Sequence, residues 1–214
     1  MMKNNNTELV FILDRSGSMA GFEEDTVGGF NATVEKQRGE DGEVFVSTVL
    51  FSNESEVLHD RVDIRKLSPL TRREYRVGGC TALLDAIGDA IRHIGNIHKY
   101  ARPEDVPAHT VFVITTDGME NASCRYTGEE VRAMIRRQTE KYGWEFLFLA
   151  ADIDTATAAD SLGIRRDRAA TYRKTREGIE RSYSAAGEAI AAVRACRADA
   201  FSLEDYLKED GEDA

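Results

Sequence analysis

The sequence passes directly from an apolar run into a short polar loop. Residues 9–13 read Leu-Val-Phe-Ile-Leu, and residues 14–18 read Asp-Arg-Ser-Gly-Ser. An apolar run of this length, without a polar interruption, is typical of a central strand in a parallel sheet, buried on both faces. In open α/β sheets, ligands bind in the crevice beyond the carboxyl ends of such strands. The polar loop is therefore a candidate binding site.

The loop offers three oxygen donors at alternate positions. Asp14 supplies a carboxylate, and Ser16 and Ser18 supply hydroxyls. These are hard oxygen ligands, which suit Mg²⁺, Mn²⁺ or Ca²⁺ rather than zinc or copper. A helix N-cap is the alternative interpretation of this loop, since Asp and Ser are both good N-cap residues.

Two later segments place further oxygen donors at comparable junctions. Thr81 follows the pair Gly78-Gly79 and precedes a predicted helix, and the two glycines permit a tight backbone turn. Asp117 follows a second apolar run, residues 111–114, and is itself followed by a glycine. Each of these donors is predicted to lie in a loop where a sheet element meets a helix.

With these five donors, the chain resembles the von Willebrand factor A domain family. The metal-ion-dependent adhesion site (MIDAS) of that family is written Asp-x-Ser-x-Ser, then Thr, then Asp. The positions that match this motif are Asp14, Ser16, Ser18, Thr81 and Asp117. The resemblance runs from about residue 7 to about residue 172, less closely to residue 197, and is strongest to small stand-alone bacterial members.

The resemblance implies a function as well as a metal. It implies that the three hydroxyls bind a divalent ion directly, and that the two carboxylates bind it directly or through water. Mg²⁺ is the expected ion, with Mn²⁺ or Ca²⁺ possible. The remaining coordination position would accept an Asp or Glu carboxylate from a partner protein. We therefore expect a metal-dependent protein-binding module of a bacterial multi-protein complex, and not an enzyme.

Strand and helix patterns alternate along the chain. They predict an α/β fold: a three-layer, doubly wound, Rossmann-like and mostly parallel sheet with one antiparallel edge strand and helices on both faces. The predicted strands are residues 9–13, 43–52, 55–63, 108–116, 144–151 and 168–173. The predicted helices are residues 22–38, 82–100, 127–142, a short helix capped by Asp154 that ends near Gly163, and 175–198.

Composition and charge narrow the class of protein. With 214 residues, the chain is predicted to form one domain, residues 1–198, followed by an acidic, flexible tail, residues 199–214. A net charge of −10 argues against nucleic-acid binding. No apolar stretch reaches the length of a membrane span, and residues 1–6 lead into the first strand without the apolar core of a signal peptide. A cytoplasmic monomer is the expectation.

Two other functions stay open at this point. The first is a metal-dependent hydrolase or phosphatase. Haloacid-dehalogenase-type phosphatases also begin with an Asp after the first strand, but carry a second Asp where this chain has Ser16. The sequence contains no Gly-x-Ser-x-Gly elbow, and its four histidines lie away from the motif loops. The second alternative is a scaffold in which the metal only holds loops together.

The three cysteines do not form a disulfide framework, because their number is odd and their spacing is unpaired. Cys80 and Cys124 flank the motif residues and are predicted to be half-buried thiols. Cys196 falls in an Ala-rich segment and is predicted to lie in the core.

Overall fold

The chain folds around one six-stranded sheet. A computed structural model describes residues 5–197 and 202–208. The strands are β1 (Thr7–Asp14), β2 (Val44–Phe51), β3 (Ser55–Asp63), β4 (His109–Thr116), β5 (Glu145–Ala150) and β6 (Ala169–Thr171). Their order in the sheet is β3-β2-β1-β4-β5-β6, and every neighbouring pair is parallel except β2 and β3.

Helices cover both faces of the sheet. They are α1 (Glu23–Arg38), α2 (Leu83–Tyr100), α3 (Gly128–Tyr142), α4 (Thr155–Leu162), α5 (Arg176–Arg194) and α6 (Leu203–Lys208). Helices α1, α5 and α6 pack on one face, and α2, α3 and α4 pack on the other. The predicted α/β class, with a mostly parallel sheet and one antiparallel edge strand, is confirmed.

Strand β1 is buried on both faces, as its apolar run predicts. All eight of its residues are buried, and successive side chains alternate between the two cores. Leu9, Phe11 and Leu13 enter the core under α1 and α5, while Val10 and Ile12 enter the core under α2 and α3. The chain leaves β1 towards β2 on one side and later returns to β4 on the other. The carboxyl end of β1 therefore lies at the crevice where the strand order reverses, which is the usual ligand position in such sheets.

Both edges of the sheet are irregular. The β2–β3 pairing shifts register around Thr48, and Arg61 adopts a positive φ of 51°. At the other edge β6 has only three residues, and α6 lies beside it.

The C-terminal region is described only in part. Of the predicted tail, residues 199–201 and 209–214 lie outside the described residues. Between them, Leu203–Lys208 forms a helix, and Leu203 is fully buried in the core beside α5. The boundary between domain and tail stays a prediction.

The prediction for Cys196 is wrong. Helix α5 ends at Arg194, and Cys196 lies two residues beyond it with a positive φ of 56°. Its side chain is exposed rather than buried in the core. Cys80 and Cys124 are exposed as well, so neither is the half-buried thiol that was predicted.

None of the helices in the described part of the chain is long and apolar enough to cross a membrane.

The contact between α1 and α5 depends on a glycine. A Cβ atom on Gly29 would lie 2.4 Å from Cδ2 of Tyr183 on α5, whereas a Cβ on the adjacent Gly28 would meet no atom of the described residues within 4 Å. The close approach also lets Thr33 Oγ1 donate a 3.0 Å hydrogen bond to the carbonyl of Tyr183. Of the two glycines in α1, only Gly29 is required by packing.

These neighbouring glycines provide a matched pair of substitutions. We expect Gly29→Ala to lower the free energy of unfolding by about 1–3 kcal/mol, because the added methyl group overpacks the interface with Tyr183. Gly28→Ala should raise the same free energy by up to about 1 kcal/mol, because alanine favours a helix interior and the position is open. Urea unfolding of both variants measures the effect. Equal effects of the two substitutions would contradict the packing.

Candidate metal centre

Asp14 is the buried acidic group at the end of β1. The residue is 1% exposed. Asp14 Oδ1 accepts a 2.7 Å hydrogen bond from the backbone N–H of Ser16, and Oδ2 accepts a 2.7 Å hydrogen bond from the hydroxyl of Thr116 at the end of β4. The buried hydroxyl of Tyr75 donates a hydrogen bond to the backbone carbonyl of Asp14. The carboxylate is thus held in one orientation by the loop that follows β1 and by the end of β4.

Burial raises the pKa of the Asp14 carboxyl above its usual value. Hydrogen bonds from Ser16 and Thr116 oppose the shift but do not cancel it, and the negative charge of Asp117 adds to it. An anionic Asp14 therefore costs the folded protein free energy at neutral pH. A cation bound at this carboxylate would offset that cost.

The two loop serines connect Asp14 to Asp117. Ser16 Oγ and Ser18 Oγ lie 2.9 Å apart, and Ser18 Oγ donates a 2.5 Å hydrogen bond to Asp117 Oδ1. Asp117 follows β4 directly, and its side chain is fully buried. Donors from the β1 loop and the β4 loop therefore meet, although 99 residues separate Ser18 from Asp117 along the chain.

Backbone contacts bring Thr81 to the same place. The N–H of Gly17 donates to the carbonyl of Gly79 at 2.9 Å, so the loop after β1 pairs with the segment before α2. A Cβ atom on Gly118 would lie 3.5 Å from Thr81 Oγ1 and 3.8 Å from Ser18 Oγ. The two hydroxyls therefore both face Gly118, and all five predicted donors lie together at the carboxyl ends of β1 and β4.

Gly79 has the conformational role predicted for the Gly78-Gly79 pair. Its φ is +85°, and a Cβ there would lie 2.0 Å from Asn53 Oδ1. Asn53 Oδ1 in turn accepts a hydrogen bond from the N–H of Cys80 at 2.9 Å. A side chain at position 79 would displace the turn that presents Thr81.

The loop after Asp117 is fixed to the start of α2 by residues that the sequence motif does not contain. Asn121 exchanges two hydrogen bonds with the backbone of Thr81: its Oδ1 accepts from the Thr81 N–H at 2.9 Å, and its own N–H donates to the Thr81 carbonyl at 3.1 Å. Glu120 accepts from the N–H of Leu84 at 2.9 Å, and Asp85 accepts from the N–H groups of residues 124–126. These contacts set the distance between Thr81 and Asp117.

A lysine that was not predicted also contacts the site. Lys174 lies in the loop between β6 and α5, and its Nζ is 2.7 Å from Asp117 Oδ2. This contact is an ion pair, and no residue in the described part of the chain donates a well-aligned hydrogen bond to Asp117 Oδ2. A basic residue 57 positions after Asp117 carries no local sequence signal, because only the sheet order brings the two loops together.

The chemistry of the donors fits a small divalent cation. The site combines two carboxylates with three hydroxyls, and the ammonium of Lys174 already stands as a cation at one Asp117 oxygen. In the described part of the chain, no group of three or more His, Cys, Asp and Glu side chains could hold a metal. A metal at this site would therefore depend on the hydroxyl groups, and neither histidine nor cysteine offers a zinc-type ligand set there.

Asp154, in a second acidic loop at the end of β5, has a structural role. Asp154 accepts a 3.1 Å hydrogen bond from the N–H of Thr157 and caps α4, as predicted. Gly163 ends the helix in the left-handed conformation.

Comparison with solved structures identifies the fold. Proximal thread matrix protein 1 from the mussel byssus, in a form with a zinc-occupied MIDAS motif, superimposes with a TM-score of 0.59 at 14% identity, over 86% of this chain and 46% of that chain. A von Willebrand factor type A protein from Catenulispora acidiphila gives a TM-score of 0.56 at 14% identity, over 90% and 42%. This chain has a von Willebrand factor A-like fold.

Further matches agree with the von Willebrand factor A-like fold. The ArnB paralog VWA2 from Sulfolobus acidocaldarius superimposes with a TM-score of 0.53 at 18% identity, over 86% of this chain and 45% of that chain. This chain thus spans less than half the length of these structures. No family model and no curated protein matches its sequence.

The raised pKa of Asp14 makes a prediction about Asp14→Asn. The folded pKa lies above the unfolded value of 3.8, so the contribution of this carboxyl to stability is greatest below that value and falls as the pH rises through the folded pKa. In chelator at pH 7, we expect the variant to be more stable than the wild type, and the difference to shrink towards pH 4. The hydroxyl of Thr116 can accept from the new amide and donate to the Gly118 carbonyl, 3.1 Å away.

Thermal unfolding in chelator across this pH range measures the difference. A variant that is less stable than the wild type at pH 7 would show that the hydrogen bonds of Asp14 outweigh its burial.

Proposed function

We propose that this domain is a divalent-metal-dependent protein-binding module. Its metal ligands would be Asp14, Ser16, Ser18, Thr81 and Asp117, with Mg²⁺ as the expected ion and Mn²⁺ or Ca²⁺ as alternatives. The observation that carries the proposal is the meeting of these donors at the sheet crevice, with Asp14 and Asp117 both buried. The zinc-occupied MIDAS motif of the mussel protein, on the same fold, supports a metal here.

The balance of charge favours binding of an anion. When bound, the ion would supply a positive centre with an open coordination position. Two carboxylates cancel the formal charge of a divalent ion, and the other three donors are neutral hydroxyls, so the ion would keep its Lewis acidity towards one further anionic ligand. A carboxylate from a partner protein is the anion that the site would then accept. The protein's role would be to hold the donors in place and to expose the open position at the rim of the sheet.

The distribution of histidines favours binding over catalysis. His59 lies in β3, His93 and His98 lie in α2, and His109 begins β4, so all four are remote from the carboxyl ends of β1 and β4. The hydrolase or phosphatase alternative would therefore need a different general base. We propose a binding module and not an enzyme. A cytoplasmic location and a place in a bacterial multi-protein complex remain predictions from the sequence.

Metal binding should stabilise the fold. We expect Mg²⁺, Mn²⁺ or Ca²⁺ at a hundred times its dissociation constant to stabilise the protein by about 2.7 kcal/mol relative to chelator. For a chain of this size, that free energy corresponds to a rise of about 5–10 °C in Tm. Asp14→Asn should abolish the rise. Asp154→Asn is the matched control, because Asn also caps a helix and residue 154 lies outside the donor set.

The absence of a rise with every cation would contradict the proposed metal centre. A rise that persists in Asp14→Asn would place the ion elsewhere.

Partner binding should depend on the ion as well as on the fold. At a temperature below the Tm of both the wild type and Asp14→Asn, we expect a partner protein to bind the wild type with Mg²⁺ but not with chelator. The same partner should not bind Asp14→Asn. Replacing the contacting Asp or Glu of that partner with its amide should have the same effect. A partner retained equally in chelator would instead favour the scaffold alternative, in which the metal only holds loops together.

A further inference from the structure

The ammonium of Lys174 is placed between two carboxylates. Its Nζ lies 2.7 Å from Asp117 Oδ2 and 4.0 Å from Asp152 Oδ2. The two acidic residues differ in their surroundings, since Asp117 is fully buried while the Asp152 side chain is 65% exposed. A small movement of one flexible side chain would therefore exchange one ion pair for the other.

The residues around Lys174 keep its ammonium group between Asp117 and Asp152. Lys174 Nζ lies 5.6 Å from the centroid of the Phe22 ring, at cation–π distance, and the lysine side chain is only 20% exposed. Asp152 follows β5 with a φ of +55°, a left-handed conformation that Asp and Asn tolerate better than most residues.

Lys174 and a divalent ion would compete for the same carboxylate. An ammonium and a divalent cation repel each other strongly at such distances, and both draw on the electron pairs of Asp117. We propose that Lys174 is a resident counter-cation that a divalent metal displaces from Asp117, with Asp152 receiving the displaced ammonium. This inference rests on the proposed metal centre.

The arrangement has two consequences for the protein. Asp117 is paired while the metal is absent, and a buried carboxylate without a partner would be costly. The metal-free fold is therefore stabilised by its own lysine. The same pairing lowers the affinity for metal, because the ion must break it. Such a site binds metal only at a higher concentration than the same five donors would need without the lysine.

Removing the ammonium should tighten metal binding. We expect Lys174→Met to lower the dissociation constant for Mn²⁺, measured by isothermal titration calorimetry, by about tenfold or more. Lys174→Arg keeps the positive charge and should stay closer to the wild type than Lys174→Met. Lys36→Met is the control for net charge, because Lys36 pairs with Glu188 on the face formed by α1 and α5.

Removing the alternative partner should have the opposite effect. With Asp152→Asn, the displaced ammonium has no second carboxylate, and we expect Mn²⁺ to bind about two- to fivefold more weakly. In the Lys174→Met background, the same substitution should change the dissociation constant by less than about twofold. This double-mutant cycle separates an effect transmitted through Lys174 from the long-range loss of one negative charge.

Stability in chelator provides a second readout. Lys174→Met should have a lower Tm than the wild type in chelator, because Asp117 loses its cationic partner and keeps the hydrogen bond from Ser18. The variant should show a larger rise on adding Mn²⁺. If Lys174→Met does not fold, the Lys174→Arg and Asp152→Asn titrations still test the proposal.

Different results would overturn the two proposals. If the wild type binds Mn²⁺ in an Asp14-dependent way but Lys174→Met binds it with unchanged affinity, the counter-cation inference is wrong and the metal centre stands. An Asp152→Asn effect of equal size in both backgrounds would also overturn the exchange between carboxylates. If the wild type binds no Mn²⁺ at all, the metal centre itself is wrong.

Discussion

The buried carboxylate of Asp14 is the constraint on which the site depends. Its burial follows from the position of β1 at the centre of the sheet, with strands on both sides and helices over both faces. Such a charge persists in a folded protein only when donors or cations surround it. The N–H of Ser16 and the hydroxyl of Thr116 supply the donors. These hydrogen bonds do not cancel the cost of burying the negative charge. A positive group near this end of the sheet would therefore stabilise the folded protein.

The loops around Asp14 are joined to one another by hydrogen bonds. Asn121 joins the β4 loop to Thr81, and Asn53 joins the β2–β3 turn to the N–H of Cys80. Asp85, at the start of α2, binds three successive N–H groups of the β4 loop. Donors from distant parts of the chain are thereby held at set distances, as a small cation requires of its ligands.

Sequence patterns were sufficient for the parts of this structure that local physics determines. The uninterrupted apolar runs at residues 9–13 and 111–114 predicted buried parallel strands, and Asp154 predicted a helix cap. The five candidate donors could be predicted because each follows a strand or precedes a helix within a few residues, and their role as metal ligands stays a prediction. Lys174 and Asn121 were missed, since their roles depend on contacts with residues far away in sequence. Cys196 was misplaced because the Ala-rich pattern continues past the point where α5 ends.

The two irregular edges of the sheet affect whether copies of this chain can associate through their edge strands. An open, regular edge strand is a template for pairing with the same strand of another molecule, which leads to aggregation. Here the register shift near Thr48 makes the pairing of the edge strand β3 with β2 irregular. The strand at the opposite edge, β6, is only three residues long and has α6 at its side. Pairing with an edge strand of another molecule is therefore disfavoured at both edges of the sheet. A protein accumulating at high concentration would thus keep its crevice available instead of losing it in fibres.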